Sequence, residues 1–281
     1  MNNFNLLSNF NIFLYIGYYG LTRLRLLTSI FMAAIALLFI IMILFMYIKR
    51  FPAAKCAICC FAVIGLITAF QRTPEAMVAF SFTLFTAVRS LLQREGLPTG
   101  AILYIAGTQG FGKSQLAKRY CMLLDDNVRK LPANSFDAGS TFAGIRDALA
   151  QQRDMVVLLD DLCHSSVTSE EANRRKLLSR VIRSATNITS FGKKTGNHNI
   201  EITCTAGLVV TAEMLPSSAS ELTRCILLRL DHQLTRFTPD DRRFAAAVLQ
   251  RFIEWFSARQ ADELQQIRKD FDAFQAGVRN S

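Results

Sequence analysis

The chain has 281 residues, which is room for one globular domain of about 150 residues together with additional segments. Its formal net charge is +10, but the first 74 residues hold six of the 32 basic residues and none of the 22 acidic ones. An acid-free segment of this kind is typical of a membrane or its surface and excludes an ordinary soluble core there. The seven cysteines lack the spacing of a disulfide framework, which favours a reducing compartment.

The longest apolar run predicts a transmembrane helix. Residues 26–48 carry no charge over 23 residues, which at about 1.5 Å per residue crosses a hydrocarbon core of about 30 Å. A second apolar run, 54–70, predicts a second span, narrowly preferred over a re-entrant segment or a buried helix. We therefore expect residues 1–70 to form a membrane segment, with the rest of the chain on the cytoplasmic side of the inner membrane.

The next segment, 74–92, is a mostly apolar helix that opens with a proline. It has the composition of either a third span or a helix packed on a soluble core. The second alternative is preferred because a short Gly- and Pro-containing turn leads from it directly into the first predicted strand.

A glycine-rich motif follows that strand. Residues 101–106 form an apolar run, and residues 107–114 then read Gly-Thr-Gln-Gly-Phe-Gly-Lys-Ser before a stretch of helical composition. Glycines allow a tight turn that points backbone N–H groups at a phosphate, Lys113 reaches the β- and γ-phosphates, and the Ser114 hydroxyl ligates Mg²⁺. The positive end of the following helix faces the same anion. The predicted ATP-binding residues are Gly107, Thr108, Gln109, Gly110, Phe111, Gly112, Lys113 and Ser114.

A second strand brings two carboxylates to the same edge of the predicted sheet. Four apolar residues precede Asp160 and Asp161, as expected of a buried parallel strand whose carboxyl end faces a ligand. Asp160 is predicted to hold Mg²⁺ through water. Asp161 is predicted to orient or deprotonate the attacking water.

Two further strands supply candidates for catalysis. The apolar stretch 207–210 ends at Thr211, which is predicted to sense the γ-phosphate or the attacking water, with Glu213 as the alternative. Arg224 stands at the mouth of the next strand. Either it stabilises charge on the γ-phosphate of a neighbouring subunit, or it pairs with Glu213 or Glu221.

The C-terminal part is predicted to be helical. Thr238, Pro239 and Asp241 form the pattern of a capping box with proline at the first helical position, and apolar residues then recur at helical spacing. We expect residues 71–237 to form an α/β core, a mostly parallel sheet flanked by helices, and residues 238–281 to form a small helical lid.

The order of these segments resembles the P-loop ATPase domain of replication or primase-helicase proteins of phages, plasmids and integrated elements, a group similar to superfamily 3 helicases and AAA+ ATPases. The resemblance covers about residues 74–275. In superfamily 3 motors, a hairpin before the sensor strand carries Lys and His residues that grip single-stranded DNA. Lys193, Lys194 and His198 lie at the corresponding place, between two β-prone arms. Those proteins usually carry a DNA-binding or primase portion where this chain has its predicted membrane segment.

Together these observations predict a membrane-tethered, homo-oligomeric ATPase of a mobile element that uses ATP and Mg²⁺ and acts on single-stranded nucleic acid. The alternative is an ATP-binding switch or assembly module, in signalling or defence, with little turnover.

Overall fold

A computed structural model describes residues 53–279 except 124–133, 164–165, 188–190, 196–197, 203 and 235–236. The predicted span 26–48 lies outside these residues. Among the helices of the described part, none is long and apolar enough to cross a membrane.

Within residues 53–101, three helices precede the sheet: α1 (Ala53–Arg72), α2 (Glu75–Ala87) and α3 (Arg89–Arg94). The second predicted span, 54–70, falls within α1, whose Leu66 and Ala69 are buried in the core. Gly65 lets this helix approach closely, since a Cβ atom there would lie 2.5 Å from the ring of Phe244.

The sheet has five parallel strands in the order β2-β3-β6-β1-β7, and a separate antiparallel hairpin pairs β4 with β5. The strands are β1 (Ile102–Gly107), β2 (Ser135–Phe136), β3 (Val156–Leu162), β4 (Phe191–Thr195), β5 (His198–Ile202), β6 (Gly207–Ala212) and β7 (Cys225–Leu230). This arrangement confirms the predicted α/β class with a parallel sheet.

Helices cover both faces of the sheet, so the central strands are buried on each side. Along β1, Leu103 and Ile105 face one layer, whereas Ile102 and Tyr104 face the other. The first layer contains α1, α2, α4 (Lys113–Tyr120) and α8 (Asp241–Ala258), and the second contains α5 (Phe142–Gln151) and α6 (Thr168–Thr186). A short helix, α7 (Ala219–Leu222), precedes β7, and α9 (Gln260–Arg279) ends the described chain.

The C-terminal helices pack against the N-terminal ones. Ala245 and Leu249 of α8 are buried in the same core as α1, and Leu264 of α9 is buried with Leu92 and Leu97. The predicted boundary after residue 70 therefore falls inside a helix of the core. Whether residues 238–281 also cover a ligand stays a prediction.

Two helix starts show how local sequence directs the fold. Thr141 caps α5, since its hydroxyl accepts the N–H of Gly144 at 3.2 Å. At α8 the predicted capping box is half formed, because the Thr238 N–H donates to the Asp241 carboxylate at 2.9 Å while the Thr238 hydroxyl also donates to it.

Candidate functional site

The glycine-rich loop, residues 107–114, joins the end of β1 to the start of α4. Gly110 and Gly112 have φ angles of 80° and 89°, in the left-handed region that glycine adopts without strain. A side chain at Gly112 would also meet the carbonyl of Leu234 at 3.1 Å. The first N–H groups of α4 have no partner within the helix and point toward this loop. Such a loop at a helix N-terminus has the geometry that favours an anion, and anion binding by it stays a prediction.

Lys113 is the first residue of α4 and is only 6% exposed. Its ammonium donates to the carbonyls of Gly107 at 2.8 Å and Thr108 at 3.0 Å. The loop backbone thus holds this charge inside the loop, where an anionic ligand would bind.

Asp160 is the centre of the site. Its Oδ1 accepts hydrogen bonds from the hydroxyls of Ser114 and Thr211, each at 2.6 Å, and its Oδ2 forms an ion pair with Lys118 at 2.8 Å. Burial raises the pKa of Asp160, but the bonds from Lys118, Ser114 and Thr211 outweigh burial and leave the pKa below its usual value. The carboxylate is therefore held in its charged form at neutral pH, as a metal-binding role requires.

Asp161 lies beyond Asp160, exposed at the end of β3. Its φ is 59°, and the pairing of β3 with β6 is irregular between Leu159 and Leu162. Bulges of this kind re-aim side chains and are frequent beside active sites. The irregularity explains how two successive residues of one strand both reach the same edge.

Thr211 differs in detail from its predicted sensor role. It is completely buried, its hydroxyl donates to Asp160, and the same oxygen accepts the N–H of Asp161 at 2.9 Å. Because the hydroxyl hydrogen is used, Thr211 acts here as a positioning residue for the two acids. Glu213 is half-buried, and its backbone N–H bonds to Leu162.

Arg224 does not join this group within its own chain. It precedes β7, where Cys225 pairs with Ile102 at the starts of the strands, opposite to the glycine-rich loop. Its guanidinium donates to Thr186 Oγ1 and Asn187 Oδ1, each at 3.0 Å, instead of the predicted alternative partners Glu213 and Glu221. A role in the site of a neighbouring subunit stays a prediction.

The predicted hairpin exists as β4 and β5. Lys193 pairs with Ile200, Lys194 with Asn199, and Thr195 with His198 beside the turn. The three nucleic-acid candidates Lys193, Lys194 and His198 therefore share one hairpin, and their contact with nucleic acid stays a prediction.

Two features near the site escaped the sequence reasoning. The first is the ion pair of Lys118 with Asp160. Lys118 lies four residues after Ser114 and therefore on the same side of α4, a spacing from which the pair could have been predicted. The segment after β7 also touches the loop, since the Leu234 N–H donates to the Phe111 carbonyl at 3.0 Å. No local sequence pattern predicts this contact, because its two residues are distant in the chain.

The donors present fit Mg²⁺. Hydroxyl and carboxylate oxygens are the hard ligands that this cation prefers. The hydroxyl oxygen of Ser114 lies 2.6 Å from Oδ1 of Asp160, so one oxygen of each kind is present at the site. Ser114 donates its hydrogen to Asp160, which leaves the lone pairs of its oxygen available to a cation. In the described part of the chain, no cluster of three or more His, Cys, Asp or Glu side chains forms an all-protein metal site.

Comparison with known proteins gave matches to one family model and to solved structures. A family model described as a domain of unknown function, DUF4153, matches residues 6–95, which end before β1. One solved structure that the chain is similar to is titled "SCCmec type IV Cch - active helicase", with a TM-score of 0.49 and 16% sequence identity. The match covers 74% of this chain and 38% of that one, so this chain spans well under half the helicase's length. A comparison with curated proteins gave no match.

Proposed function

We propose that the protein is a P-loop nucleoside triphosphatase that hydrolyses ATP with Mg²⁺. The observation that carries this proposal is the junction of the glycine-rich loop with Asp160. The loop lies between a central parallel strand and a helix N-terminus, and its Ser114 hydroxyl donates to the carboxylate of Asp160. Asp160 lies near the end of β3, which is separated from β1 by β6.

Each residue has a role that follows from its position. The loop N–H groups and Lys113 bind the phosphates, and Ser114 and Asp160 would hold Mg²⁺, which neutralises charge on the phosphate oxygens. Asp161, exposed beyond Asp160, orients the attacking water and accepts its proton. Thr211 keeps the two acids in register.

The finer parts of the proposal rest on other features. The apolar run 26–48 supports tethering to a membrane, with the triphosphatase in the cytoplasm. The basic hairpin supports action on single-stranded nucleic acid, whose phosphates the lysines of β4 would bind without reading sequence. In this proposal the protein remodels or moves nucleic acid in a mobile element.

The first test measures ATP hydrolysis by the full chain, with and without single-stranded DNA. Lys113→Ala should lower the rate at least about a hundredfold, because a buried charge that stabilises phosphate is lost. Lys269→Ala, an exposed lysine of α9, should hydrolyse ATP like the wild type. Tight ATP binding without measurable hydrolysis would contradict a triphosphatase and favour the switch module. Hydrolysis that DNA does not stimulate, together with no DNA binding at low salt, would remove only the nucleic-acid part.

The second test asks whether neighbouring subunits share sites. If Arg224 stabilises charge in the next subunit, Arg224→Ala should lower hydrolysis by about a thousandfold. Mixing it with Lys113→Ala should restore activity, because an intact loop then meets an intact arginine. Arg153→Ala, an exposed residue at the same edge of the sheet, serves as the control. An Arg224→Ala protein that is inactive both alone and in the mixture would point to structural damage instead.

A further inference from the structure

Lys118 stands apart from the other groups that bind Asp160. The Ser114 and Thr211 hydroxyls both bond to Oδ1, whereas Lys118 alone among the described contacts holds Oδ2, at 2.8 Å. Lys118 is also a full cation, and 57% of its side chain is exposed, while Asp160 is 14% exposed. One oxygen of the carboxylate is thus fixed by two neutral hydroxyls, and the other is held by a charged side chain that is more than half exposed.

The two lysines of α4 are placed differently. Lys113 is buried and bonded to the loop backbone. Lys118 lies one turn further along the face that carries Ser114, and its long side chain can leave the carboxylate for water at low energetic cost. Partly exposed ion pairs are worth little, so a dication bound near the same carboxylate would displace this ammonium.

We propose that Lys118 is a built-in counter-ion that competes with the divalent cation for Asp160, and so sets the metal concentration at which the site fills. This inference rests on the proposed function. With Oδ1 already accepting two hydrogen bonds, Oδ2 is the oxygen with capacity for a cation or for water bound to one, and Lys118 occupies that position. Lys118 acts through Asp160 and is a positioning residue, since it touches no reacting atom.

The experiment uses the full chain with a non-hydrolysable ATP analogue and Mn²⁺ as the probe, with bound Mn²⁺ measured by electron paramagnetic resonance. Lys118→Met should bind Mn²⁺ about two- to fivefold more tightly than the wild type, the effect expected for removal of one partly exposed ionic competitor. Lys118→Arg keeps the cation and should stay close to the wild type. Lys269→Met loses an equal charge far along the chain and should also match the wild type.

A second readout separates competition from a structural role. In EDTA, Lys118→Met and the second variant Lys118→Gln should bind the ATP analogue and melt within a few degrees of the wild type, because Lys118 is more than half exposed.

Unchanged or weaker Mn²⁺ binding in both neutral variants would overturn the inference while leaving the proposed function standing. Equal tightening in Lys269→Met would also overturn it, since net charge alone would then explain the effect. A wild-type protein that binds neither the ATP analogue nor Mn²⁺ would overturn the proposed function, and this inference with it.

Discussion

Strand β3 begins just after one aspartate and ends near another, and both have a left-handed backbone, with φ of 57° at Asp154 and 59° at Asp161. Their carboxylates are in different situations. Both oxygens of Asp154 are bonded by Ser90, to its N–H at 2.7 Å and to its hydroxyl at 2.5 Å. Asp161 is exposed beside the glycine-rich loop. Two aspartates with the same backbone conformation thus differ in their side chains: the carboxylate of Asp154 is bonded to Ser90, whereas that of Asp161 is exposed to solvent.

The difference extends to the two edges of the sheet. At the amino ends of the strands, Arg89 is completely buried and donates to the carbonyls of Ala206 and Ala185, the latter at 2.8 Å. At the carboxyl ends, Lys113 and Asp160 are also largely buried, but they lie at the glycine-rich loop. A ligand bound there could replace their present hydrogen-bond and ion-pair partners. A buried charge is therefore not a functional site by itself. What distinguishes the two edges is access to solvent: Asp160 pairs with Lys118, whose side chain is 57% exposed, whereas Arg89 donates to buried backbone carbonyls.

The largest effect on stability is expected at the amino edge. Arg89→Met removes a charged donor from two buried carbonyls and should lower the free energy of unfolding by about 3 kcal/mol. Denaturant unfolding of the full chain measures this loss, and the folded fraction should keep its affinity for nucleotide. Arg153→Met, exposed at the same edge, should unfold like the wild type. Loss of nucleotide affinity in folded Arg89→Met protein would contradict the view that the amino edge of the sheet contributes to stability alone.

At the carboxyl end of β6, a substitution of Thr211 should affect stability less than Arg89→Met does, but should affect the rate of hydrolysis more. Thr211→Val keeps the volume and removes the hydroxyl that joins Asp160 to the Asp161 N–H, so hydrolysis should fall about tenfold or more while nucleotide binding is retained. Thr211→Ser should restore most of the rate.

The matched control lies beside the start of the same strand. Thr86 is 1% exposed, touches Gly207, and donates its hydroxyl to the Phe82 carbonyl at 2.9 Å. Thr86→Val should cost stability alone, and the two variants can be compared by single-turnover hydrolysis and thermal melting. Equal losses of turnover in Thr86→Val and Thr211→Val would show that hydroxyls at both ends act only through stability.

Several elements could be predicted from the sequence because their signals are local. The hairpin of β4 and β5 has β-prone arms that the composition predicts, and the helix cap at Thr141 needs only a hydroxyl three residues before a backbone N–H. The α1 helix could not be assigned in the same way. An apolar run of its length suits a membrane or a core equally well, and the choice depends on the contact between Gly65 and Phe244, which are distant in sequence.

The glycine-rich loop, the two acids near the end of β3 and the alternation of strands and helices could be read from the sequence, because spacing and composition along a short stretch specify each of them. How they combine depends on the tertiary structure. The strand order places β6 between β1 and β3, so Thr211 reaches Asp160 from 51 positions away, while α4 brings Ser114 and Lys118 to the same carboxylate. The same parallel order puts Arg224 at the opposite edge. Such pairings depend on which strands become neighbours, and that is decided by burial of the whole sheet between its two helical layers.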